Sequence, residues 1–245
     1  MSKIELFGFP TSPYVLKVAA YLGFKHLEYE FIGVNPLNYQ ELSFAKVRQV
    51  PVIRSGDEWC FDSDQIALWL EQRFPERPLL PQEEDRNEVN TINEWVNQSV
   101  IPTMFRLSVD WSSTTVGLTN GWKLANAVHH SNELPVWCRV LWPVLVRKAG
   151  FVNRIIKPLD RSEPLETLQL RLIDEFCEFL ASGPFLGERE EPSLADISLY
   201  PLTIFGDRML LKHDTPWSDN KAVIEWGEKM KPYFDRVPYL TGRVR

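Results

Sequence analysis

Apolar and polar positions along the chain divide it into an alternating first third and a helical remainder. Ile4 to Phe9 is a short apolar run with a strand's length. From Ser12 the period changes: Val15, Val18, Ala19 and Leu22 recur at helical spacing, predicting a helix over 12–22. Ser12 followed by Pro13 is a fitting start, a hydroxyl N-cap with proline at the first helical position. A second strand is expected over 28–32 and a short helix or irregular turn over 39–44. A hairpin is expected to pair 52–54 with 59–61 across Ser55-Gly56-Asp57-Glu58. A helix follows over 63–74, with Ile66, Leu70 and Phe74 on one face. The predicted order is βαβαββα.

Proline then marks a boundary. Pro75, Pro78 and Pro81 fall within seven residues, and strand signals nearly vanish beyond them. We read residues 1–75 as one domain, 76–83 as a linker and 84–245 as an all-helical domain. Helical patterning covers 83–107, 165–180, 193–211 and 220–236. Between them, 120–146 reads as helical in parts, interrupted by Pro135 and Pro143, within an insertion at about 112–160.

Composition narrows the function. Hydrophobic residues are 44% and charged residues 24%, as in a globular protein. The net charge of −6 and the lack of a basic stripe argue against a nucleic-acid partner. Three scattered cysteines form no metal or redox spacing, so no metal is expected and a reducing compartment is the plain reading. The N-terminus runs straight into a strand with no signal-like apolar region, which predicts a cytoplasmic chain. No stretch has the roughly 18 apolar residues of a transmembrane helix.

Three short segments carry candidate chemistry. Thr11-Ser12-Pro13-Tyr14 sets a hydroxyl at a helix N-terminus. Gln49-Val50-Pro51-Val52 places proline before a β-branched run, where a central strand would avoid it, and suggests a cis-proline turn. Asp62-Ser63 opens another helix with a carboxylate and a hydroxyl. Together they suit a thiol peptide whose sulfur is held as an anion.

The order βαβαββα, the Val50-Pro51 step, the Asp62-Ser63 pair and the helical second half resemble the glutathione S-transferase superfamily. Pro192-Ser193-Leu194-Ala195-Asp196 resembles that family's buried capping box, in which Ser193 and Asp196 cap a core helix. Val34-Asn35-Pro36 with Arg48-Gln49-Val50-Pro51, and the basic-aromatic insertion, are similar to the prostaglandin E synthase type 2 branch. That branch carries Cys-Pro-x-Cys at the first helix, whereas Ser12 and Val15 stand here. Dithiol chemistry is thereby removed, and Ser12 resembles the serine-type transferases. A tyrosine-type site is closed because Phe7 and Phe9 end the first strand.

The resemblance implies a thioredoxin-like, glutathione-binding first domain. Ser12 is then the catalytic residue, donating a hydrogen bond to the sulfur of glutathione. Thiols titrate near 8.5, so a shift of about two units needs about 2.7 kcal/mol of preferential stabilisation of the thiolate. One charge-assisted hydrogen bond plus a helix terminus is of that order. The Val50 backbone, exposed by Pro51, would pair with the peptide. Asp62 would take the γ-glutamyl ammonium and Ser63 its carboxylate. Arg48, Gln49 and Lys46 are candidates for the glycine carboxylate. The second substrate, a hydrophobic electrophile or a peroxide, would face Trp95, Met104, Phe105, Arg106 and Trp111. A homodimer is the family expectation. The competing reading is a non-catalytic transferase-like module whose helical half binds a protein. A disulfide reductase would lack its nucleophilic cysteine at position 12. The stretch 134–157 is basic and aromatic, a composition that suits a membrane surface. Its Pro135, Pro143 and Gly150 interruptions and the acidic chain point instead to an insertion packed on the domain or on a partner.

Overall fold

Alternating strands and an apolar first helix build the unit that positions the site. The structure, a computed structural model, describes residues 3–109, 118–126, 135–148, 150–204 and 216–234. Strands β1 (Ile4–Gly8), β2 (Tyr29–Gly33), β3 (Val52–Ser55) and β4 (Glu58–Phe61) form one sheet in the order β2-β1-β3-β4. β1 runs parallel to β2 and antiparallel to β3, and β3 pairs antiparallel with β4. Helix α1 (Pro13–Phe24) makes the crossover between the parallel strands, and α2 (Ser63–Arg73) follows β4. The short helix or irregular turn expected over 39–44 is one 3-10 turn, Gln40–Leu42, with Tyr39 and Lys46 in left-handed backbone on either side.

α1 is apolar nearly all round, and every residue of it except Tyr14 is buried. Such a helix belongs between layers. One side meets the sheet and the other meets the helical half. Gly8 allows this close approach, since a Cβ there would collide with Val15.

The helical half begins with α3 (Arg86–Trp95), a π-helical segment (Val96–Val100) and α4 (Ile101–Val109), which together fill the long helical stretch expected there. A helix over 118–126, α5, lies beside α6 (Val136–Lys148). α6 starts directly after Pro135 but runs through Pro143, so only the first proline interrupts. Gly121 explains the tolerance: its bare Cα receives the Pro143 ring, and a Cβ there would sit 2.8 Å from it. α7 (Gly150–Ile155) and α8 (Leu165–Leu180) follow.

α9 (Leu194–Thr203) is wholly buried up to Leu202 and lies against α1. Its start is the expected capping box of Ser193 and Asp196. The Asp196 carboxylate accepts from the Leu186 and Ser193 main-chain N–H groups and from the Trp226 indole, at 2.9, 3.0 and 2.9 Å. Burial pushes its pKa up, and these donors pull it back. Short helices α10 (Pro216–Asp219) and α11 (Lys221–Met230) complete the described chain, with Trp226 and Met230 in the core.

Candidate active site

Sheet register brings the three candidate segments to one end of the sheet. Phe7, Val52 and Phe61 form a row across β1, β3 and β4. One step beyond that row come Gly8, Pro51 and Asp62. The carboxyl end of β1, the amino end of β3 and the carboxyl end of β4 therefore share one edge. β1 leads through a tight turn to α1, β4 leads directly into α2, and the Val50–Pro51 peptide between them is cis. Two positive helix termini converge on this edge, a setting that favours anions.

Ser12 occupies the N-cap of α1 with extended backbone (φ −81°, ψ 120°) and Pro13 next to it. Its main-chain N–H donates to Phe9 O and its carbonyl accepts from Leu16 N–H, both at 3.0 Å. Its hydroxyl makes no capping hydrogen bond, and the residue is half-buried. Tyr14, one turn-residue further, is partly buried. Burial, then Asp64 and Asp62, pushes its hydroxyl up to about 12.

Asp62 behaves differently. Its Oδ1 accepts from the main-chain N–H groups of Asp64 and Gln65, at 3.0 and 3.4 Å, and so caps α2. Its backbone sits at φ 71°, ψ 128°, a costly region for a residue with a side chain. Ser63 is therefore the first helical residue and not the cap; it is buried at 4% exposure. Val50 precedes β3 and has no strand partner, while Arg48, Gln49 and Lys46 are exposed. Arg48 lies close enough to Tyr39 to oppose the upward push that burial gives that hydroxyl.

The residues expected around a second substrate scatter. Trp95 sits in the core, its indole donating to Glu175 at 2.6 Å and its ring meeting Phe179 edge-on. Arg106 is engaged with the carbonyls of Asp160, Arg161 and Glu163. Met104 and Phe105 are half-buried on α4, and Phe105 meets Phe151 edge-to-face. Trp111 lies outside the described residues.

A polar network that the sequence reading missed joins this edge to the helical half. Asp64, next to Ser63, accepts from Lys17 Nζ (3.3 Å), Asn93 Nδ2 (3.0 Å) and Asn97 Nδ2 (2.8 Å). Lys17 is fully buried and also donates to Asn97 Oδ1 at 2.6 Å. Burial pushes the Lys17 ammonium down and Asp64 pulls it back up. Ser198 of α9 donates to Asn93 Oδ1 and pairs with the Tyr21 hydroxyl, both at 2.8 Å. A lysine inside the run Val15-Leu16-Lys17-Val18 was the available signal, because such a residue needs a buried partner.

Known proteins resemble this chain over its first part in sequence and over nearly its whole length in fold. Residues 6–78 match the family described as glutathione S-transferase, N-terminal domain. Over those residues the chain is similar to the first domain of glutathione S-transferases. A zeta-class glutathione S-transferase from Euphorbia esula is 30% identical over 93 residues, covering 36% of this chain and 41% of that protein. The chain thus matches less than half the length of that relative. Prostaglandin E synthase 2 from Danio rerio is 37% identical over 51 residues, 21% of this chain and 14% of that one. Among solved structures, a glutathione S-transferase from Rhodospirillum rubrum F11 superposes with a TM-score of 0.60 at 21% identity, covering 97% of this chain and 92% of that chain. The fold therefore extends over the helical half as well.

Proposed function

We propose that the chain is a serine-type glutathione transferase, in which Ser12 holds the thiol of glutathione as its anion. One observation carries the reading. The Ser12 hydroxyl stands at a helix N-terminus, on the same sheet edge as the cis Val50–Pro51 peptide, and caps nothing. A hydroxyl with no bond to its own helix is available to donate to sulfur, where the helix terminus adds to the same stabilisation. The family of residues 6–78 supports glutathione as the thiol.

In this reading the Val50 main chain pairs with the tripeptide backbone. Ser63, at the start of α2, receives the γ-glutamyl carboxylate. Asp62 meets the ammonium with the oxygen it does not spend on capping. Arg48 and Gln49 are placed to meet the glycine end. The enzyme's contribution is positioning and thiolate stabilisation, and the partner is a hydrophobic electrophile or a peroxide reaching Met104 and Phe105. The protein works as a homodimer in the cytoplasm.

Ser12→Ala tests this. Turnover with glutathione and chlorodinitrobenzene should fall on the order of 10- to 100-fold as the thiol pKa returns toward about 8.5. Fold and glutathione affinity should be kept. Ultraviolet titration of the bound thiol in the native protein gives the direct readout: a midpoint equal to that of free glutathione overturns the role of Ser12. If neither affinity for glutathione nor thiol-dependent turnover is measured, the binding-module reading stands instead.

A further inference from the structure

α6 presents an apolar surface on both of its sides, which a helix at the edge of a protein does not need. Inward, Cys138, Trp142 and Pro143 pack in the helical half. Outward, Val136, Trp137, Val140, Leu141, Val144 and Leu145 are 73, 56, 59, 48, 44 and 39% exposed. Their spacing (i, i+1, i+4, i+5, i+8, i+9) makes a single stripe three turns long. Trp122 of α5, 46% exposed, lies beside it with its indole N–H donating to Val140 O at 3.1 Å. Exposed apolar residues are ordinary singly; a contiguous stripe marks an interaction surface.

Charge identifies what meets it. Residues 135–157 contain five basic residues and no acidic one, in a chain of net charge −6. Lys148 continues the stripe at its carboxyl end. Arg154 and Lys157 follow it, with the exposed Phe151 between. None of these three cations forms an ion pair among the described residues. Exposed and unpaired, they present a positive rim that complements an anionic surface. A protein interface carries about one hydrogen bond per 100–200 Å², but the outward stripe offers only the Trp137 indole. A lipid surface asks for none beneath its headgroups, seats tryptophan at the headgroup level and attracts Lys and Arg.

We propose that the α6–α7 face docks in the plane of an anionic lipid surface, the stripe entering the headgroup boundary and Lys148, Arg154 and Lys157 meeting the headgroups. The proline and glycine interruptions that weighed against this in the sequence do not break the surface. α6 is continuous through Pro143, and Gly150 begins the helix that supplies Phe151 and Arg154. The acidic remainder of the chain is repelled by the same lipid and so holds this face toward it.

Flotation of the full chain with vesicles decides the matter. The protein should rise with phosphatidylcholine vesicles containing phosphatidylserine, remain below with phosphatidylcholine alone, and be released by added salt. Replacing Lys148, Arg154 and Lys157 together by Gln should weaken binding by roughly tenfold or more. Trp137→Ser with Leu141→Ser should remove it, with circular dichroism confirming the fold. Should that pair fail to fold, the triple Gln variant decides alone. Equal flotation with neutral lipid, no flotation with anionic lipid, or an unaffected triple variant overturns the proposal. So does a dimer in sedimentation velocity that the Ser pair disperses while no vesicle binding is found; the face is then a contact between copies.

Discussion

Ser12 and Asp62 stand at equivalent places, each the residue before a helix, and use their side chains in opposite ways. Ser12 leaves its helix uncapped, whereas Asp62 caps α2 through Oδ1 and accepts φ 71° to do so. Residues in such backbone cost on the order of 1 kcal/mol and persist where the surroundings demand them. Glycine at an N-cap loses only a few tenths of a kcal/mol relative to Asp. Asp62→Gly should therefore leave stability unchanged or raise it by about 1 kcal/mol in thermal melts. Glutathione affinity should fall several-fold in calorimetry, because the carboxylate is gone. Undiminished affinity would remove Asp62 from the proposed binding site. These positions were legible in the sequence because serine, proline and aspartate punctuate local structure. The capping role of Asp62 was not, since Ser63 reads equally well as a cap until the backbone is seen.

At the scale of an element, α1 is both the best and the least readable. Its apolar spacing located it within two residues at its carboxyl end. What periodicity could not show is that Tyr14, Lys17 and Tyr21 place polar atoms inside a buried helix, each satisfied or shifted by groups far away in sequence. A pH dependence follows. Tyrosine in the unfolded chain ionises near 10, while folded Tyr14 is held up to about 12. The unfolded chain thus loses its proton first. The contribution is complete below pH of about 10 and is lost as pH rises toward about 12. Tyr14→Phe should flatten part of that alkaline decline in urea unfolding at stepped pH; an identical decline would show that the hydroxyl is solvated. α6 gives the opposite lesson. Pro143 reads as a breaker, and only the distant Gly121 makes it tolerable.

For the whole molecule, the fold class was readable because strand and helix periods segregate on either side of the prolines. How the halves meet was not, since Asp64, Asn93, Asn97 and Ser198 are unremarkable one at a time. Asp64 is 40% exposed in its side chain, so water offsets part of its loss. Asp64→Ala should still destabilise by about 2 kcal/mol, because Lys17 remains buried without its counter-charge. Adding Lys17→Met should restore a substantial part in a double-mutant cycle read by urea midpoints; additive losses would show that the pair is uncoupled.

The peptide between the halves is fastened along its length. The buried Lys25 ammonium donates to the carbonyls of Phe74, Glu76 and Arg77 and pairs with Glu71, which in turn accepts from Leu79 N–H. Leu79 O accepts from Leu194 N–H at the head of α9. A segment tied to both sides in this way has few free torsions to absorb a swing of one half against the other. A swing of one half against the other must therefore break several of these bonds at once.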